Sequence, residues 1–184
     1  MPKLRFDKDE KVWEGKFIHV LKRPFVNTES GAKGHWEVVG RSVRGRIVGV
    51  MAVTPQMEVI LIKIFRVPLG KYVIECAAGL PDVEGESEME LARRELLEET
   101  GYACDTLEAV VSGPPNGGLI ADEMVFFLGT GARKVAETEH ENAEDIEVLK
   151  IPRAELEHFL SNPPDGALVD LKLWALLPFL AKLD

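Results

Sequence analysis

Between Ser87 and Gly101 the chain carries a helix that its own residues open and close. Ser87 and Glu90 have the spacing of a reciprocal N-terminal cap, helix formers continue unbroken to Thr100, and Gly101 is the residue type that best ends a helix in the left-handed conformation. The spacing predicts a helix over Glu88 to Thr100. At 100° per residue, Glu95, Glu98 and Glu99 stand at i, i+3 and i+4, so three carboxylates share a sector that a helix usually gives to core side chains. Each like-charge neighbour costs a few tenths of a kcal/mol. Arg94 reaches Glu98 at i+4, yet one guanidinium cannot neutralise four nearby acids once Glu86 is counted. A hard divalent cation such as Mg²⁺, which prefers oxygen ligands, would supply the missing charge. The plain alternative is a solvated acidic helix face, the commoner fate of a charge run.

The residues before this helix alternate with the period of strands. Expected strands run from Lys11 to Arg23, ended by Pro24, then His35 to Val39, Arg46 to Thr54, Glu58 to Arg66 and Tyr72 to Cys76. Asn27 to Gly34 and Ala77 to Gly85 are expected as loops. After the helix, Met124 to Gly129 and Ile146 to Ile151 are expected as strands, with an acidic loop between Ala136 and Asp145. A short helix over Ala154 to Leu160, with Pro152 in its first turn, and a last helix over Ala167 to Leu183, bent before Pro178, complete the pattern.

A chain of 184 residues suits one ordinary domain with a small appendage. The 31 acidic residues exceed the 22 basic ones, and the net charge of -9 makes nucleic acid a poor partner. Cys76 and Cys104 are too few for a disulfide framework and suit a reducing cytoplasm. The charged start, MPKLRFDKDEKVW, is unlike an export signal, and the apolar tail is broken by Asp170, Lys172 and Pro178, so no membrane span is expected. His19, His35, His140 and His158 form no zinc-ligand spacing.

The stretch from Gly79 to Tyr102, GLPDVEGESEMELARRELLEETGY, resembles the Nudix box. That box is a glycine, five residues, Glu, seven residues, Arg-Glu, an aliphatic, any residue, Glu-Glu, any residue, Gly and an apolar residue. Seven residues separate Glu86 from Arg94, and every fixed position from Arg94 to Tyr102 matches. Six residues, not five, separate Gly79 from Glu86, an insertion near Val83-Glu84 that a loop absorbs cheaply and a helix would not.

The resemblance implies an α/β/α sandwich with a mixed β-sheet, of the α/β (α+β) class. It also implies an enzyme: Mg²⁺-dependent, with Mn²⁺ as a substitute, hydrolysing a nucleoside diphosphate linked to another group. Metal ligands would be Glu98, Glu99 and the carbonyl of Ala78, with Glu95 a further ligand or an orienting carboxylate and Arg94 fixing the glutamates. Glu141 of the acidic loop would serve as general base, with Glu139 and Glu144 as alternates; a solvated acidic turn is the competing reading of that loop.

Over roughly Arg46 to Ile151 the chain resembles the ADP-ribose and nucleotide-sugar pyrophosphatase branch of that family. The matching residues are Arg66 at a strand end, Glu75, Ala77-Ala78-Gly79-Leu80 and Pro114-Pro115, although Ala77 stands where the branch has proline. Arg66, Glu75 and Arg46 would then bind substrate. The branch places an N-terminal β segment against a partner subunit, so residues 1–45 are expected as a homodimerisation segment and residues 46–184 as the hydrolase domain. Arg41, Arg44 and Arg46 could meet substrate phosphates, or form a solvated strand edge. Trp13 and Trp36 could stack on a base, but burial in the core is the stronger expectation.

The expected activity is hydrolysis of a nucleoside diphosphate sugar, best represented by ADP-ribose giving AMP and ribose 5-phosphate. The alternatives are another nucleoside diphosphate derivative (a GDP-sugar, NADH or an oxidised nucleoside triphosphate) and a non-catalytic nucleotide-binding module.

Overall fold

A computed structural model describes residues 2–139 and 145–183. In chain order the strands before the helix are β1 (Leu4–Phe6), β2 (Glu10–Glu14), β3 (Ile18–Asn27), β4 (Lys33–Arg41), β5 (Ile47–Val53), β6 (Glu58–Arg66), β7 (Lys71–Glu75) and β8 (Ala77–Gly79). Helix α1 (Glu88–Thr100) follows. Then come β9 (Tyr102–Ala103), β10 (Thr106–Gly113), β11 (Met124–Thr130), β12 (Arg133–Lys134), β13 (Ile146–Pro152), α2 (Leu156–Ser161), β14 (Leu168–Val169) and α3 (Leu171–Leu180).

The first four strands form an antiparallel sheet of their own in which β3 pairs with β1, β2 and β4. The expected strand from Lys11 to Arg23 is two strands, because the Gly15 amide donates to the Ile18 carbonyl (2.8 Å) and turns the chain back. Pro24 does not end β3. Its carbonyl accepts from the Asp7 amide (3.1 Å), so its ring nitrogen also faces the crossing between β1 and β2 and no bond to β4 is lost.

The larger sheet has the order β10-β11-β5-β6-β7-β14, with β8 against β5 and β13 against β6. It is mixed: β11 runs parallel to β5 and β14 parallel to β7, while the other pairs are antiparallel. Strand β5 shows why it is central. Val48, Val50 and Ala52 pack with Leu91, Ala92 and Leu96 of α1, whereas Met51 and Val53 point to the opposite face, with Leu156 and Leu160 of α2 and Leu173 and Leu176 of α3. The result is two cores on the two faces of one sheet, the sandwich that the box implied. Burying each such Leu stabilises by roughly 1.5–3 kcal/mol. Gly49 has no side chain because the ring of Phe126 takes that space, 2.3 Å from where a Cβ would stand.

Helix α1 has the expected bounds. Ser87 Oγ accepts from the Glu90 amide, the Glu90 carboxylate accepts from the Ser87 amide, and Gly101 closes the helix at φ 74°. Two expectations fail nearby. Ala77–Gly79 is strand, not loop, paired as Val48↔Gly79, Gly49↔Ala78 and Val50↔Ala77. The last helix starts only at Leu171, because Leu168 and Val169 pair with Val73 and Ile74 and Asp170 caps the helix by accepting from the Lys172 amide (2.9 Å). Pro152 ends β13, and a 3-10 turn over Arg153–Glu155 precedes α2. Among the described residues, no helix is long and apolar enough to cross a membrane.

Candidate active site

Helix α1 lies against β8, and that contact sorts its carboxylates into two tiers. Glu99 faces inward, buried, and Oε2 accepts from the Ala78 amide (2.9 Å). One turn earlier the Glu95 carboxyl lies over Gly79, so close that a Cβ there would stand 1.9 Å from its Cδ. Glu98 is on the outer side and more exposed.

Arg94 binds the outer tier together. It donates to Glu86 through Nε and Nη2 (3.0 and 3.1 Å) and to Glu98 through Nη1 (3.0 Å), and it pairs with Glu95 (2.9 Å) and Asp82 (2.9 Å). Hydrogen bonding to Glu86, reinforced by Glu95 and Glu98, holds this guanidinium firmly cationic against its partial burial. Burial, with repulsion from Glu98 and Asp82, pushes the Glu95 carboxyl up to about 7 despite the opposing pull of Arg94. Asp82 was missed in the sequence, since nothing in its spacing marks it; the turn at Pro81 delivers it.

Four carboxylates, Asp82, Glu86, Glu95 and Glu98, thus surround one guanidinium, and Glu99 lies on the inner tier against Ala78. All donors are oxygens and the group keeps a negative surplus, which fits a hard divalent cation. Among the described residues, no three His, Cys, Asp or Glu side chains converge as a ready-made metal cage. The reason is visible: Arg94 engages Glu86, Glu95 and Glu98, and Ala78 engages Glu99.

On the other side of β8 opens a cavity of about 420 Å³. Its lining includes Ala78, Gly79 and Leu80, and also Arg66 and Glu75, but not the carboxylates of α1. Arg66 donates Nε and Nη2 to the two oxygens of Glu75 (2.8 and 2.8 Å), a bidentate pair across neighbouring strands that holds Arg66 cationic. The α3 cap residues Asp170 and Lys172 also reach this cavity. Their sequence signal was an acid directly before an apolar helical run.

The three expected basic residues part company. Arg41 lines the cavity and its Nε donates to Asp122 (2.7 Å). Arg46 makes a bidentate pair with Glu88 (2.7 and 2.6 Å) and lines, with Arg44, Asp82 and Glu86, a second recess of about 380 Å³. Arg46 is therefore not brought to Arg66 and Glu75. Trp13 and Trp36, expected in the core, are 53% and 55% exposed on the first sheet, which is too thin to bury both faces. Glu141 and Glu144 lie outside the described residues. Glu139 is described, and its amide donates to the Glu98 carbonyl (2.8 Å), so the acidic loop departs from the end of α1.

No family model matches the chain. The ADP-ribose pyrophosphatase of Bacillus subtilis is 32% identical over 144 residues, 77% of this chain and 75% of that one. A Nudix hydrolase of Schizosaccharomyces pombe is 30% identical over 166 residues, 83% of this chain and 80% of that one. The crystal structure of an ADP compounds hydrolase superposes with a TM-score of 0.79 at 19% identity, covering 98% of this chain and 93% of that one, which is agreement in fold. With its box on α1, its sheet between two helical layers and relatives alike over most of their length, the chain belongs to the Nudix hydrolase family.

Proposed function

We propose that the protein is a Mg²⁺-dependent pyrophosphohydrolase of nucleoside diphosphate sugars, with ADP-ribose, cleaved to AMP and ribose 5-phosphate, as the best substrate. The observation that carries this reading is the seating of Glu95 and Glu99 on β8, the strand whose other side lines the cavity holding Arg66 and Glu75. The relatives named above as acting on ADP compounds and ADP-ribose point to the same class.

Glu95, Glu98, Glu99 and the carbonyl of Ala78 would hold the ion, Mg²⁺ or in its place Mn²⁺. Such an ion neutralises phosphate charge and lowers the pKa of a bound water. Arg66, kept in place by Glu75, offers its remaining N–H groups to the diphosphate, and Arg94 keeps the glutamates in register before substrate arrives. Water adds its oxygen to one phosphorus, the bridging P–O bond breaks, and the bridging oxygen leaves with the other phosphate. Glu141 is the proposed acceptor of the water's proton, with Glu139 and Glu144 as alternates.

Residues 1–45 form the proposed dimerisation segment and residues 46–184 the hydrolase domain. Phe6, Val12 and Trp13 on the first sheet and Phe17 in its β2–β3 turn, all more than half exposed, support a homodimer. The two free, buried thiols accord with a cytoplasmic setting. The test is turnover of ADP-ribose with Mg²⁺, read as AMP and ribose 5-phosphate, beside a GDP-sugar, NADH and an oxidised nucleoside triphosphate. Glu98→Gln is expected to lose roughly 10³-fold or more in kcat with its melting temperature retained. A binding module would show no turnover to lose.

A further inference from the structure

One wall of the cavity is made by the connection between β10 and β11, through Pro115, Ile120 and Asp122. That connection has little structure of its own, and three contacts from a single strand, β4, hold it. The Trp36 indole Nε1–H donates to the Gly118 carbonyl (3.1 Å). The Val39 amide donates to the Leu119 carbonyl (2.9 Å) and the Ala121 amide donates to the Val39 carbonyl (3.2 Å), forming a parallel bridge between Val39 and Ile120. Arg41 Nε donates to Asp122 (2.7 Å), whose side chain is only 12% exposed. The contacts advance in register along both segments, so any shift of β4 carries Ile120 and Asp122 with it.

Resting on the reading that this cavity takes the nucleotide sugar, we propose that Trp36 and Asp122 are positioning residues: the first sheet clamps the cavity wall within its own chain and thereby sets how tightly the substrate binds. The wall touches the bound molecule away from the carboxylates of α1, so the clamp acts on ground-state binding and leaves the chemical step alone. This assigns the exposed indole of Trp36 a donor role that a stacking ring would not need.

Trp36→Phe keeps a ring and removes the donor, and Asp122→Asn keeps the shape and removes the charge. Each is expected to raise KM for ADP-ribose about five- to tenfold with kcat within about twofold, as expected for one lost hydrogen bond or ion pair acting on binding. The double variant should fall short of the product of the two effects, because both act through one wall. Hydrogen exchange at the Ala121 amide should rise at least about tenfold in each variant, since its acceptor is Val39. Unchanged KM in both variants overturns the proposal, and so does a raised KM with Ala121 exchange as in the parent, which would mean direct contact with substrate. If the parent turns over none of the nucleoside diphosphates, the functional reading fails separately. Calorimetric affinity for ADP-ribose then replaces KM, and unaltered affinity in the variants, or no binding by the parent, overturns the positioning role.

Discussion

The carboxyl of Glu95 occupies the space that a side chain at Gly79 would need: a Cβ on Gly79 would stand 1.9 Å from Cδ and 2.0 Å from Oε1 of Glu95. The first glycine of the box is thus a matter of clearance between β8 and α1. The group in the way is the far end of a flexible side chain, so a substitution moves the carboxyl more than the backbone.

Gly79→Ala should therefore fold and fail. The expected loss is about 10²-fold in kcat/KM, since a displacement of about 1 Å in a catalytic group costs that order. The melting temperature should move only a few degrees. Steady-state kinetics beside a thermal melt checks both, and a variant with parental kinetics would mean that Glu95 need not lie where it does.

Arg94 is the one cation engaging Asp82, Glu86, Glu95 and Glu98 among the described residues. Removing it leaves like charges facing one another. Arg94→Ala should destabilise the metal-free protein by roughly 2–4 kcal/mol, near the lower range for breaking a buried pair because the site is partly exposed. Millimolar Mg²⁺ should recover more stability in the variant than in the parent. Urea unfolding with chelator and with Mg²⁺ measures both, and equal recovery would argue against a cation at these carboxylates.

Asp9 and Arg23 tie the crossing between β1 and β2 to β3 by two hydrogen bonds (2.8 and 2.8 Å), which hold the Asp9 carboxyl below its ordinary 3.8. A depressed carboxyl contributes stability above its unfolded value and loses it as the pH falls through its folded value. Asp9→Asn should cost at most about 1 kcal/mol at neutral pH, because solvent screens a partly exposed pair. The gap between variant and parent should begin to close below about pH 4 and vanish in stronger acid. A gap independent of pH would assign the cost to packing.

Ser87 caps α1 through Glu90 and makes no contact with Glu95, Glu98 or Glu99. Ser87→Ala should lower stability by about 1 kcal/mol. Its kcat should stay within about twofold of the parent, because Glu95, Glu98 and Glu99 lie two to three turns further on. Denaturant melts and kinetics on the same sample check the pair of outcomes.

What could be read directly from the residues was whatever is settled within a few positions along the chain. The bounds of α1, its caps, the shared sector of Glu95, Glu98 and Glu99, the reach of Arg94 to Glu98 and the full extent of β6 all follow from local hydrogen bonding and periodicity. Tertiary pairing decided the rest. Ala-Ala-Gly has no strand period of its own, and it is strand because β5 has an open edge for it; Leu168 and Val169 leave the last helix because β7 offers them partners. Arg46 and Arg66 were alike as cations in sequence, but Glu88 holds one by the second recess and Glu75 holds the other in the cavity. The exposure of Trp13 and Trp36 likewise follows from the first sheet having no helical layer of its own. A helix carries its hydrogen-bond partners three or four residues away, whereas a strand, an ion pair or a cavity wall finds them only after distant segments meet.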